Sequence, residues 1–219
     1  MHDVETLTLV QLPRAMGTFP LAWWGLYPII VQWVGRVNGL EHVPRQQAFI
    51  LAANHASYLD HPLLVAALLP RLDRMVHFLA KREHFDKLFL RWWHRYSGAI
   101  PIDREAGGRE GLKKGLEVLA HGKILAIHPE GTRSRDGKLQ PGKPGVAWLA
   151  RQAGVPVLPV GLIGTHLVLP PGGRIPALRR IEVHVGEPLG PTELFAGGRD
   201  LEDATRVIMA AIAGLCEPG

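Results

Sequence analysis

The chain has 219 residues, 47% of them hydrophobic, with 25 Lys plus Arg against 20 Asp plus Glu and a single cysteine. This length fits one globular domain, with or without an appendage; the apolar content excludes a disordered chain, and the scattered Gly and Pro exclude collagen-like or linker composition. Cys216 alone can form no internal disulfide and no multi-cysteine zinc cage, so the chain reads as cytosol-facing.

Residues 15 to 35 carry no charged side chain and hold four of the nine Trp and Tyr, namely Trp23, Trp24, Tyr27 and Trp33. The run is long enough to span a bilayer, but Gly17, Pro20, Gly25 and Pro28 interrupt it, and clustered indoles favour headgroup depth over the bilayer centre. We therefore expect an aromatic-rich helix pair in the membrane interface, within an N-terminal segment over 1–40 that precedes a larger domain over 41–219. A buried helix of the soluble core is the competing reading of the same run. A cleaved signal peptide fits less well, because Asp3 and Glu5 offset Arg14 and no small-residue cleavage pattern follows Gly35.

Further along, short apolar runs alternate with amphipathic ones, the pattern of an α/β domain. Residues 48–53, 75–80, 99–102, 123–127, 155–163 and 180–186 read as strands bounded by Gly, Pro or charge. Pro156 and Pro159 predict an edge or irregular strand for the fifth of these. A helix is predicted over 83–97, where Phe85, Leu88, Phe89, Trp92, Trp93 and Tyr96 repeat at helical spacing and leave Lys87, Arg91 and Arg95 on another face. A second is predicted over 144–153, opening at Pro144 and stopping at Gly154, and a third over 200–215, opening at Asp200 and turning Val207, Ile208, Ala211, Ile212 and Leu215 inward. Residues 164–178, rich in Pro and Gly, form a loop. Residues 71–114 hold 11 Lys or Arg against 6 Asp or Glu, which equals the whole net excess of the chain. Such a face suits nucleic acid, anionic lipid headgroups or phosphorylated substrates, and charge alone does not choose among them.

Chemistry gathers in NHASYLD, residues 54–60, where His55 and Asp60 flank four residues at a strand-to-helix junction. A histidine whose second ring nitrogen is held by a carboxylate can take a proton from a hydroxyl, with a reference pKa of about 6.5 and one fixed tautomer. Ser57-x-x-Asp60 also fits a capping box for a helix beginning at Ser57, so these residues alone leave catalysis and capping equally open. Two further polar strand ends follow. GAIPIDRE, residues 98–105, ends with Asp103 and Arg104; HPEGTRSRDGK, residues 128–138, carries Glu130, Thr132, Arg133 and Ser134 around Gly131. An arginine fork, a hydroxyl and N–H groups exposed at a glycine can hold a phosphate without a metal, although turns of this composition are common.

Taken in this order, the residues resemble the glycerolipid acyltransferase family typified by 1-acylglycerol-3-phosphate acyltransferase (PlsC-like). NHASYLD is similar to its HxxxxD block, GAIPIDR to its second block, HPEGTRS to its Pro-Glu-Gly-Thr-Arg-Ser block and VPVLPV to its fourth, and the resemblance spans roughly residues 48 to 163. His128 stands where that family usually has Phe, a difference expected to shape the pocket wall and acceptor preference more than the chemistry.

The resemblance implies an α/β fold with a mixed sheet flanked by helices, preceded by the membrane-interface helix pair. It implies transfer of a fatty acyl chain from acyl-CoA or acyl-carrier protein to the free hydroxyl of lysophosphatidic acid, with no metal or other cofactor. His55 would be the general base and Asp60 its orienting partner. Arg104, Glu130, Gly131, Thr132 and Arg133 would form the acceptor phosphate site, with Glu130 holding an arginine or a glycerol hydroxyl. The implied partners are a lipid acceptor and a membrane surface rather than nucleic acid, and the implied place is the cytoplasmic face of the membrane, peripheral or monotopic. The nearest alternative is the same chemistry on another lysophospholipid or a glycolipid. From other classes come a metal-dependent phosphohydrolase using His55, Asp60 and His61, and a non-catalytic lipid-binding protein. The loose spacing of His61, His77, His84 and His94 speaks against the first, and the intact His55 and Asp60 against the second.

Overall fold

The computed structural model describes residues 27–72, 74–81, 98–102 and 108–217. The helix predicted over 83–97, the Asp103–Arg104 pair and the aromatic run up to residue 26 lie outside the described residues.

Seven strands form one sheet: β1 (Val34–Asn38), β2 (Phe49–Ala53), β3 (Val76–Lys81), β4 (Ala99–Ile102), β5 (Ile124–Ile127), β6 (Val157–Ile163) and β7 (Ile181–Val185). Their order is β1-β7-β6-β2-β5-β3-β4. β6 and β7 run antiparallel and the other neighbours run parallel, so the sheet is mixed. The helices are α1 (Tyr27–Ile30), α2 (Asp60–Leu68), α3 (Gly108–Ala120), α4 (Gly145–Ala153), α5 (Pro191–Leu194) and α6 (Leu201–Cys216). Among the described residues, no helix is long and apolar enough to cross a membrane.

β2 occupies the middle of the sheet, and every residue of FILAA is 0% exposed. Such a run shows no polar alternation because both faces are covered. Phe49, Leu51 and Ala53 pack with Leu63, Leu64 and Leu68 of α2, while Ile50 and Ala52 pack with Leu149 of α4 and Ile208 and Ile212 of α6. The termini of α4 and α6 follow their sequence signals. Gly154 ends α4 in the left-handed region, and Asp200 caps α6 by accepting from the N–H groups of Glu202 and Asp203.

Two features depart from the sequence expectations. Val34–Asn38 is an edge strand paired with β7, so the boundary drawn after residue 40 falls beyond a strand hydrogen-bonded into the sheet, and the end of the run 15–35 enters that strand. The second concerns Pro159, which lies in an interior strand rather than at an edge. Its carbonyl accepts from Gly186 N–H at 2.9 Å, just past the end of β7, so the missing proline N–H falls where the β6–β7 ladder stops.

Close packing of α6 on β6 depends on Gly161. A Cβ there would lie 2.5 Å from the carbonyl oxygen of Leu215, and backbone at that distance can yield only by moving the helix. Gly161→Ala is therefore expected to lower folding stability by about 1–3 kcal/mol or more, read as a fall in the denaturant midpoint. An unchanged midpoint would show that α6 shifts without loss.

Candidate active site

The parallel register of β2 with β5 ends at Ala52↔Ile127, so both strands deliver their next residues to the same edge of the sheet. From β2 come Asn54 and His55; from β5 comes the turn that begins at His128. Asn54 continues the sheet with its side chain, donating from Nδ2 to Leu162 O at 2.9 Å and accepting at Oδ1 from Leu162 N–H at 2.7 Å. The chain then bends around Asp60. One oxygen, Oδ2, accepts from His55 Nδ1–H, Ala56 N–H and Ser57 N–H, each at 2.7 Å.

This geometry resolves the choice between capping and catalysis differently from the simple capping box. α2 begins at Asp60, and no side chain caps it. Asp60 reaches backward over the loop instead of standing third in the helix, so one carboxylate closes the loop and also holds the histidine. Ser57 is buried elsewhere: its Oγ donates to Leu169 O at 2.9 Å and accepts from Leu59 N–H at 3.1 Å.

Asp60 is 0% exposed. Burial pushes its carboxyl upward, but the His55 hydrogen bond, followed by His128, the Thr165 hydroxyl and the Ser57 N–H, brings it below the usual value. Thr165 Oγ1 and Asp60 Oδ1 are both buried, and neither has a partner in hydrogen-bond geometry among the described residues. An ionised carboxylate can only accept, so the proton of neutral His55 resides on Nδ1 and Nε2 keeps its lone pair. The His55 side chain retains 20% exposure, which leaves the ring an open side.

The turn after β5 clamps the His55 backbone. Glu130 Oε1 accepts from His55 N–H at 2.6 Å, and His55 O accepts from Ser134 N–H at 2.7 Å. The second oxygen of Glu130 accepts from Gln140 N–H at 2.7 Å. Glu130 is thus committed to two peptide groups rather than to an arginine or a glycerol hydroxyl, because it lies buried beneath the turn. Its burial raises its pKa, and the two backbone donors offset this only in part. Gly131 also differs from expectation. Its N–H donates to His128 O at 3.0 Å, and with φ at +69° its missing Cβ makes room for Lys143, whose Nζ would lie 3.1 Å from that Cβ. Thr132 is exposed, and the guanidinium of Arg133 lies over the Tyr58 ring at 4.0 Å from its centroid. The structure therefore gathers Arg133, Thr132 and Lys143 on and against the turn that grips the His55 backbone, while Arg104 lies outside the described residues.

His128 does more than line a wall. Its ring stacks on that of His55 with centroids 3.9 Å apart and 5° between planes, and its Nδ1–H donates to Ala53 O at 2.9 Å. Burial, with the adjacent His55 second, drives its pKa down to about 4. His61 packs on Phe78 at 3.6 Å and is driven down to about 3, chiefly by burial. Among the described residues no three His, Cys, Asp or Glu side chains converge as a metal-binding set. Lys143 escaped the sequence reading of this site and His128 was read there only as a pocket wall, because stacking and side-chain crossing leave no spacing signal; Asn54 and Tyr58 were visible only as part of the motif.

A model described as acyltransferase matches residues 35–163. A chloroplast 1-acyl-sn-glycerol-3-phosphate acyltransferase of Brassica napus is 31% identical over 162 residues, covering 73% of this chain and 46% of that one. The chain thus spans about half the length of that relative. The Bacillus subtilis 1-acyl-sn-glycerol-3-phosphate acyltransferase is 28% identical over 154 residues, covering 70% of this chain and 73% of that one. The solved structure of the 1-acyl-sn-glycerophosphate (LPA) acyltransferase PlsC from Thermotoga maritima superposes with a TM-score of 0.72 at 27% identity, covering 92% of this chain and 78% of that one.

The depressed histidines set a pH dependence of folding. His128 and His61 stay neutral in the fold but take up protons below about pH 6.5 when unfolded, so their stabilisation is complete above that pH and is lost as pH falls toward 4 and 3 respectively. Glu130, with a raised pKa, works in the opposite direction, so a comparison of variants isolates each histidine. His128→Phe keeps a flat ring without the titration. Its stability should fall less steeply between pH 6.5 and 4, by up to about 1.4 kcal/mol per pH unit, in denaturant midpoints taken across that range. Parallel curves would show that His128 carries its charge in the folded state.

Proposed function

Because the chain belongs to the acyltransferase family, we propose that it moves a fatty acyl chain from a thioester donor, acyl-CoA or acyl-carrier protein, to the free hydroxyl of 1-acylglycerol 3-phosphate. The product is phosphatidic acid. The observation that carries this reading is the fixed His55–Asp60 pair on a partly exposed ring, gripped by the turn that carries Arg133. The names of the Brassica and Bacillus relatives support the choice of acceptor.

In the proposed reaction His55 Nε2 takes the acceptor hydroxyl proton as the oxygen attacks the thioester carbonyl. The tetrahedral intermediate then collapses, the C–S bond breaks, and the imidazolium returns its proton to the departing thiolate. Asp60 remains ionised and stabilises the imidazolium, while Glu130 and Ser134 hold the His55 peptide so that the ring meets the hydroxyl in one orientation. Arg133, with Lys143 and Thr132 beside it, suits the acceptor phosphate, and the second sequence block adds Arg104 to that role. The reaction as written needs no metal, and the place of action proposed is the cytoplasmic face of a membrane, where the acceptor resides.

An acceptor panel with one labelled acyl-CoA tests the reading. Lysophosphatidate should be preferred over glycerol 3-phosphate, other lysophospholipids and glycolipid acceptors, with full activity after EDTA treatment; preference for a phosphate-free acceptor would overturn the assignment. His55→Ala is expected to lower turnover by about 10² to 10⁴ fold while the protein remains folded. Arg133→Ala should raise the acceptor KM by about 10 to 100 fold with a smaller effect on kcat, as for a lost charge-assisted hydrogen bond. Glu130→Gln should do the reverse, lowering kcat with little change in acceptor KM, because that side chain holds His55 and not the phosphate. Matching KM losses in the Arg133 and Glu130 variants would return Glu130 to the acceptor site.

A further inference from the structure

The loop between β6 and β7 carries features that the reaction leaves unused. Residues 164 to 180 contain no acidic side chain and three arginines, Arg174, Arg179 and Arg180, all exposed. Between them, Ile175 and Leu178 are 86% and 82% exposed, the most exposed large apolar side chains among the described residues. Isolated exposed aliphatics need no explanation, but two within four residues on an arginine-flanked tip do.

The tip is held in place. Ala177 N–H donates to Val168 O at 2.8 Å, and Ala177 O accepts from the Trp33 indole N–H at 2.8 Å. At the base of the loop, Leu169 O accepts from Tyr58 N–H at 3.1 Å and from Ser57 Oγ at 2.9 Å, which ties it to the loop that carries His55. Ile29 of α1, four residues before Trp33, is 54% exposed. An apolar tip is therefore fastened between the end of the N-terminal aromatic run and the candidate site, on the edge of the sheet where that site opens.

We propose that the β6–β7 loop is a bilayer-docking surface, with Ile175 and Leu178 entering an anionic leaflet while Arg174, Arg179 and Arg180 meet its headgroup phosphates. A bilayer accepts protruding aliphatic side chains without a complementary pocket, whereas a protein partner needs matching shape. Arginine is suited to headgroup depth, where its stem lies in the apolar layer and its guanidinium binds phosphate. Docked in this way, the loop brings the edge bearing His55 to the leaflet. The inference goes beyond the acylation reading and stands whichever acceptor is used, since its test reads contact and not turnover.

The experiment uses the full chain with Ile175→Cys labelled by an environment-sensitive fluorophore. Cys216, raised to about 11 chiefly by burial, reacts poorly, and wild type carried through labelling measures its background. Lys123→Cys, an exposed position just before β5 at the opposite edge, is the control. Vesicles of phosphatidylcholine with about a third phosphatidylglycerol should raise and blue-shift the emission at 175 by about threefold, with a smaller response to phosphatidylcholine alone and none at 123. The unlabelled variant Ile175→Ser with Leu178→Ser should sediment with the anionic vesicles about fivefold less than wild type. Silence at 175 while the protein sediments with vesicles would overturn the proposal, since another segment would then be holding it. Equal responses at 175 and 123, or a response to acyl-carrier protein but not to vesicles, would overturn it too.

Discussion

Asp60 Oδ2 accepts three hydrogen bonds, all at 2.7 Å and all from the five residues before it, in a position closed to solvent. A carboxylate removed from water is strongly unfavourable unless donors replace the lost hydration, and here they do so on a single atom. The chain from His55 to Ser57 must wrap around that atom, which fixes where β2 ends, where α2 starts and which nitrogen of His55 holds the proton. Loop conformation and the tautomer of His55 are therefore set in one event. A substitution at Asp60 would disturb both, so it separates the two roles less cleanly than a change at His55.

The second partner of this arrangement comes from 75 residues further along the chain. Parallel pairing of β2 with β5 lets the two strands end side by side, and the His128 ring then falls flat on the His55 ring. Glu130 and Ser134 grip the His55 peptide on its N–H and carbonyl sides. Two neighbouring imidazoles repel if both are charged, and burial settles which one yields: His128 stays neutral. The neutral ring can then lie against an imidazolium without opposing it.

Much of this was legible in the order of residues. Strands such as 99–102 and helices such as 144–153 are written in apolar runs and end signals that local chemistry dictates. The pairing of His55 with Asp60 was legible too, because the two are close in sequence. Less legible were contacts set by tertiary register. β1 begins in the last two residues of an uncharged aromatic run whose composition spoke for lipid, and only pairing with β7 makes it a strand. Pro159 looked like an edge residue because the sequence does not reveal where a neighbouring strand stops. Glu130 looked like a ligand because a carboxylate in a polar turn gives no sign that it is buried beneath that turn.

The pairing of β1 with β7 joins residues near the two ends of the chain; the hydrogen bond from Arg36 to Glu182 spans 146 positions. Contacts so distant in sequence carry a large loop-closure entropy until the intervening elements have condensed. During synthesis β1 leaves the ribosome well before its partner strand, with the 146 positions from Arg36 to Glu182 still to be made. The N-terminal strand must wait, unpaired, for the sheet that will receive it. Assembly thus runs opposite to the direction of synthesis at this edge, and β1, the first of the described strands to be made, is among the last to be placed.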